Sequence, residues 1–197
     1  GTLNNCQVAM RDGRPVSEIT ARQCDRRTAL LRDEDFIQSL DGVVYSSNRP
    51  FADNKQVSWG ILHYLQERRP ELPVVVLGGY INTHRECADL YNRFGHFDSC
   101  RDPSHVSYNP LDERDLITTG AHTLPHGYLY IDKTDLLCPS GELSSCAVVV
   151  DGEPAFYDGH HLTLGFAGYL GERIAEAYGG QLAASGFPAL PPQESGR

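Results

Sequence analysis

Val74-Val75-Val76-Leu77-Gly78-Gly79 is an unbroken apolar run that stops on two glycines. A run without polar alternation suits a parallel strand covered on both faces, and the glycines suit a turn at its carboxyl end. Upstream, Asn54 to Arg69 lines up Val57, Ile61, Leu62 and Leu65 as an apolar stripe, and Pro70 ends the helix this spacing predicts. Before that helix, Gly42-Val43-Val44-Tyr45 reads as a short buried strand, followed by the polar turn Ser46-Ser47-Asn48-Arg49-Pro50. Strand, amphipathic crossover and strand together predict a βαβ unit, with its two strands parallel and adjacent or nearly so.

Working outward, the same alternation continues. Ala29, Leu30, Leu31, Phe36, Ile37 and Leu40 give near-helical spacing over 26–40. A further helix is expected from Pro110 through Ile117, then a strand at Tyr128-Leu129-Tyr130-Ile131. Ala147 to Val150 suits a short extra strand ending in the turn Asp151-Gly152. The last helix is expected over Leu164 to Tyr178, with Phe166, Leu170, Ile174 and Tyr178 on one face. After Gly180 the chain turns rich in Pro, Gly and Ala, which predicts a flexible tail over 181–197 behind one domain over 1–180. Strands alternating with helices point to an α/β fold, a three-layer α/β/α sandwich around a mainly parallel sheet. In such folds the chemistry collects on loops at the carboxyl ends of the strands.

Composition bounds the partners. With 197 residues, 40% hydrophobic and 22% charged, the chain has the make-up of a globular domain with a substantial core. No apolar run approaches the about 18 residues needed to cross a bilayer, and no signal peptide opens the sequence. The start Gly1-Thr2-Leu3 lacks a Met, as in a processed chain or a fragment. A formal charge of −9 argues against nucleic acid or an anionic membrane surface as main partner.

The six cysteines show neither C-x-x-C nor Cys/His zinc spacing. Their number leaves the connectivity open. Their positions fall into three close pairs, Cys6 with Cys24, Cys87 with Cys100, and Cys138 with Cys146, each able to staple a loop-rich stretch. Cysteines so clustered favour disulfides and an oxidising, extracytoplasmic compartment over buried cytosolic thiols.

The most telling stretch for function is Phe156-Tyr157-Asp158-Gly159-His160-His161-Leu162-Thr163. An Asp three residues before a His, on a loop entering an amphipathic helix, suits an acid–base pair serving a serine nucleophile: the His takes the hydroxyl proton and the Asp holds the ring. Taken with the Val43 to Asn48 strand end and with Cys138-Pro139 and Cys146 ahead of the Asp151 to Pro154 turn, this block resembles an SGNH (GDSL-like) hydrolase domain. It is most similar to the extracytoplasmic SGNH domains attached to membrane acyltransferase-3 proteins, which O-acetylate cell-surface glycans. The resemblance runs from about Cys6 to Ile174. It implies a flavodoxin-like sheet, His161 as general base, Asp158 as its orienting carboxylate and Asn48 as an oxyanion-hole donor, a contact worth about 3 kcal/mol of barrier. Asn48 beside Arg49-Pro50 equally suits a turn residue. His160 is expected to be a solvated loop residue, and Gly13 is a candidate for the oxyanion-hole glycine.

The family nucleophile sits in a Gly-Asp-Ser block, and no such tripeptide occurs in this chain. The resemblance implies that it lies upstream of residue 1, on a first strand and helix, and leaves room for a membrane domain of the same polypeptide before them. Ser46, Ser47 and Ser17 are weaker alternatives within the chain. The expected activity is O-acyl, foremost acetyl, transfer to a carbohydrate acceptor or ester cleavage on an acylated glycan, without a cofactor. Two other readings stay open: a catalytically silent module that binds glycan or docks onto an acyltransferase, and a metal-dependent hydrolase built on Asp158, His160 and His161.

Overall fold

The computed structural model describes residues 8–17, 22–46, 51–79, 81–83, 87–108, 124–158 and 161–188. The chain opens with an antiparallel ribbon, β1 (Val8–Arg11) and β2 (Arg14–Ser17). Its turn residues Asp12 and Gly13 have φ of 51° and 71°. Two successive positive φ angles match a tight turn to the twist of its strands, which accounts for the glycine at 13. Two helices follow, α1 (Arg22–Leu30) and α2 (Glu34–Gln38), where the periodicity predicts one helix over 26–40. Asp33 makes the break: its carboxylate accepts the Phe36 N–H at 3.2 Å and restarts the helix as an N-cap. Arg32 ties the break to β2 by donating from Nε to the Pro15 carbonyl at 3.0 Å.

β3 (Val43–Ser46), α3 (Phe51–Arg68) and β4 (Val74–Gly78) form the expected unit, with α3 opening earlier than Asn54. β3 and β4 are parallel, Val43 beside Val74 and Tyr45 beside Val76. Then come β5 (Ile81–Thr83), α4 (Cys87–Phe94), two short 3-10 turns, and β6 (Val106–Tyr108), which returns antiparallel to β5. β7 (Leu129–Asp132) pairs parallel with the other edge of β4 and completes a three-stranded parallel sheet in the order β3-β4-β7. α5 (Lys133–Leu137) follows at once, and β8 (Val149–Val150) and β9 (Glu153–Pro154) make a hairpin through Asp151 and Gly152. The final helix, α6 (Leu164–Ala184), runs past Gly180, and Phe187 beyond it packs where a side chain on Gly42 would otherwise sit. The helix expected over 110–117 lies outside the described residues. The architecture is thus a mixed α/β fold: a small three-stranded parallel sheet with helices and three short antiparallel ribbons.

Burial follows strand position. Val74, Val75 and Val76 are all buried, as the unbroken apolar run predicts for a strand with neighbours on both sides. In β3 only alternate residues are sheltered, and Val44 is 57% exposed. Trp59, Leu62, Val74, Val76 and Leu124 form one core cluster, where the Trp59 and Tyr128 rings meet edge-on at 5.6 Å; burial pushes the Tyr128 phenol up from its ordinary pKa. A second cluster joins Ile37, Tyr64, Leu65 and Leu72. The third gathers Cys87, Cys100, Cys138 and Cys146 with Phe156, Phe166 and Leu170.

At the carboxyl end of β4 the glycines answer to close approach. A Cβ on Gly78 would overlap the Tyr130 ring, and one on Gly79 (φ 78°) would lie 2.5 Å from Asp132 Oδ1 and 2.8 Å from the Thr134 amide nitrogen. Asp132 is itself buried. It accepts from the Thr134 N–H at 2.9 Å and the Thr134 hydroxyl at 2.5 Å, capping α5.

Candidate active site

Asp158 and His161 occupy the loop between β9 and α6. Phe156 and Leu162 bridge antiparallel across the base of that loop, Tyr157 N–H donates to the His161 carbonyl at 3.1 Å, and Thr163 N–H donates to the Ala155 carbonyl at 2.9 Å. The segment therefore behaves as a one-bridge hairpin whose facing residues alternate between core and solvent. Phe156 points inward, 6.1 Å from the Phe166 ring, and each buried Phe contributes about 1.5–3 kcal/mol. Thr163 closes the loop as the N-cap of α6: its hydroxyl accepts the Phe166 N–H at 3.3 Å and donates to the Pro154 carbonyl at 3.0 Å.

On this base the Asp158 carboxylate is gripped twice by one residue. Oδ1 accepts the His161 backbone N–H at 2.7 Å, and Oδ2 lies 2.5 Å from Nδ1 of the same residue's ring. About a quarter of each side chain is exposed. The backbone bond fixes the carboxylate, and the carboxylate then fixes the ring with Nδ1 as the protonated nitrogen. Proton exchange with a reacting group accordingly falls to Nε2, the division of labour of a general base with an orienting carboxylate. Tyr157 stands directly opposite His161 across the hairpin, and their rings lie 10° from parallel with centroids 5.5 Å apart. The ring pair is a cross-strand contact of the kind that steadies ribbons. Tyr157 stays 59% exposed.

The loop rests on the stapled core. Disulfide Cys138–Cys146 joins the end of α5 to the segment leading into β8, and Cys87–Cys100 joins α4 to the following 3-10 turn. Ala147 N–H donates to the Leu137 carbonyl at 2.7 Å and Ala155 N–H to the Val148 carbonyl at 2.8 Å, so the stapled segment and the site loop share a hydrogen-bonded frame. Two disulfides suit an oxidising compartment outside the cytosol. Among the described residues no helix is long and apolar enough to cross a membrane.

The remaining sequence candidates scatter. Asn48, His160, Ser47 and Cys6 lie outside the described residues, and with Cys6 the expected Cys6–Cys24 bond. Gly13 sits in the β1–β2 turn, where its φ explains it, and Ser17 closes β2 opposite Val8. Ser46 ends β3, its Oγ accepting from Lys133 Nζ at 3.3 Å across the carboxyl ends of the sheet. Among the described residues no three His, Cys, Asp or Glu side chains are grouped to hold a metal ion. Sequence reasoning missed Tyr157 as the neighbour of His161; the equal spacing of 156–157 and 161–162 about a central turn was the available signal. It also missed Asp132, although an Asp at a strand end before Lys133-Thr134-Asp135 is an N-cap pattern. Comparisons with protein-family models, with curated proteins and with solved structures find no match to this chain.

Proposed function

We propose that this chain carries the acid–base half of a Ser-His-Asp triad that moves an O-acyl group, foremost acetyl, to or from a cell-surface carbohydrate. The observation that carries the reading is the doubly held Asp158 carboxylate on Nδ1 of His161. A serine supplied by the polypeptide upstream of Gly1 gives its hydroxyl proton to Nε2 as its oxygen attacks the acyl carbonyl. Collapse of the tetrahedral intermediate expels the donor alcohol, which leaves with that proton. A sugar hydroxyl or water, deprotonated in turn by His161, then attacks the acyl-serine and returns the serine hydroxyl. Asn48 would donate to the oxyanion.

The order β3-β4-β7 with helices alongside is compatible with the three-layer α/β/α, flavodoxin-like sandwich of an SGNH (GDSL-like) domain over 1–180, and the disulfides with a periplasmic or outer-face location. An acyltransferase-3 membrane domain in the same polypeptide would present the acyl group. The test is acetyl-ester turnover by a polypeptide that includes the upstream serine: His161→Ala should lower it by several orders of magnitude with the fold retained. Full activity in that variant would end the triad reading. The absence of Gly-Asp-Ser from this chain favours a second reading, a catalytically silent glycan-binding or docking module, which a lack of ester turnover in the unsubstituted polypeptide would select.

A further inference from the structure

The β8–β9 hairpin and the first turns of α6 enclose a cleft of about 170 Å³, lined in part by Asp151, Glu153, Pro154, Thr163, Phe166 and Tyr169. At the liquid's share of about 30 Å³ each, that volume holds roughly six waters, the room a single small ring needs. Asp151 and Gly152 form the hairpin turn with φ of 51° and 81°, which carries the Asp151 carboxylate at the rim. The Glu153 carboxylate reaches over the first turn of α6, its Oε2 3.4 Å from the position of a Cβ on Gly165.

The cleft adjoins the candidate site along the chain through Thr163. Positions 161 and 163 share a face of the hairpin, roughly 6.6 Å apart at strand rise, and Thr163 lines the cleft. Tyr157, opposite His161, lies on that face too. Thr163 is thus shared between the cleft and the hairpin that carries the tyrosine ring and the imidazole. Among the described residues no Lys or Arg lines the cleft, and the Asp151 and Glu153 carboxylates can only accept hydrogen bonds. A fitting ligand must bring hydroxyl or ammonium donors and an apolar ring face for Tyr169 and Tyr157; a ligand carboxylate would meet like charge.

We propose that this cleft, with Tyr157 beside it, is a sugar-binding subsite that selects neutral or amino sugars over acidic ones. Its role as the acceptor position rests on the acyl-transfer reading; the binding itself does not. The experiment titrates the isotope-labelled chain with methyl glucoside, glucosamine and glucuronate, following backbone amide resonances. Methyl glucoside and glucosamine should move the amides of residues 151–153 and 163–169, and glucuronate should not. Glu153→Gln, with its spectrum otherwise unchanged, should weaken glucosamine binding about tenfold, one charge-assisted hydrogen bond, and Asp151→Asn should act in the same direction. Shifts away from the cleft, equal response to glucuronate, or full affinity in both variants would overturn the proposal. Lost binding alongside an inactive His161→Ala enzyme would remove the subsite and leave the triad. Retained binding alongside a fully active His161→Ala enzyme would remove the triad and leave the subsite.

Discussion

The sheet core and the stapled core solve the same packing problem by different means. Around Val76, order comes from strands, from α3 and from aromatic contacts, and among the described residues no cysteine joins that cluster. Around Phe156, regular strands are only two or three residues long, and two disulfides stand where a sheet would otherwise set the geometry. The candidate site belongs to the second region. Its precision thus depends on a bridged hairpin fastened to covalent staples, while the parallel sheet supplies a platform at a distance. A loop-rich segment has little apolar surface to offset its ordering entropy, and cross-links lower that entropy in the unfolded chain.

The contrast can be broken most sharply through function. In a polypeptide that supplies the nucleophile, Asp158→Asn should cost on the order of 10⁴ in turnover with little change in thermal stability. Leu62→Ala, in the sheet core, should do the reverse, removing about 2–5 kcal/mol of stability while the folded fraction keeps its turnover number. Comparable damage to both properties from either change would erase the distinction between platform and site.

Next in size, replacing Cys138 and Cys146 together by Ser should cost about 2–4 kcal/mol. Amide hydrogen exchange should locate the loss, with residues 155–166 opening while β4 keeps its protection. Simultaneous opening of both regions would show one cooperative unit. A smaller effect, about 1–3 kcal/mol, is expected for Gly79→Ala, since a Cβ there meets the Asp132 carboxylate and the residue holds a positive φ; denaturant unfolding measures it.

The smallest effect concerns the corner of the sheet core where Arg69 gathers the carbonyls of Gln38 and Leu40 at 2.9 and 2.6 Å and donates to Glu71 at 2.7 Å. The hydrogen bond from Arg69 holds the Glu71 carboxyl below its ordinary pKa. A depressed carboxyl stabilises the fold above its unfolded pKa, and that share is lost as pH falls through the folded value. Glu71→Gln should therefore flatten the acid limb of the stability curve slightly below about pH 5, as read from melting temperatures. An unchanged limb would show that solvent screens the pair completely.

The parallel unit was legible because Val74 to Leu77 carries its own evidence of two-sided burial, and the stripe over 57–65 closes the crossover. β5 and β6 were not legible: three-residue strands separated by a disulfide-closed segment leave no periodicity to read. The break between α1 and α2 was written in Asp33-Glu34-Asp35, but an apolar stripe that continues across a cap hides it. In the site, the Asp158–His161 spacing was visible from chemistry alone. The Tyr157 contact was harder to read, because the spacing about the turn acquires meaning only through the bridge between Phe156 and Leu162.

The length of α6 has a practical consequence. Its 21 residues span about 30 Å, so a chain segment that starts beside the imidazole ends with Phe187 wedged against Gly42, at the threshold of β3. The helix works as a strut between the candidate-site loop and the far strand of the sheet. Shortened expression clones that stop at Gly180 would remove the wedge and loosen β3, whose exposed Val44 already invites intermolecular pairing. Purification tags and fusion joints belong after residue 188, where they leave both ends of the strut seated.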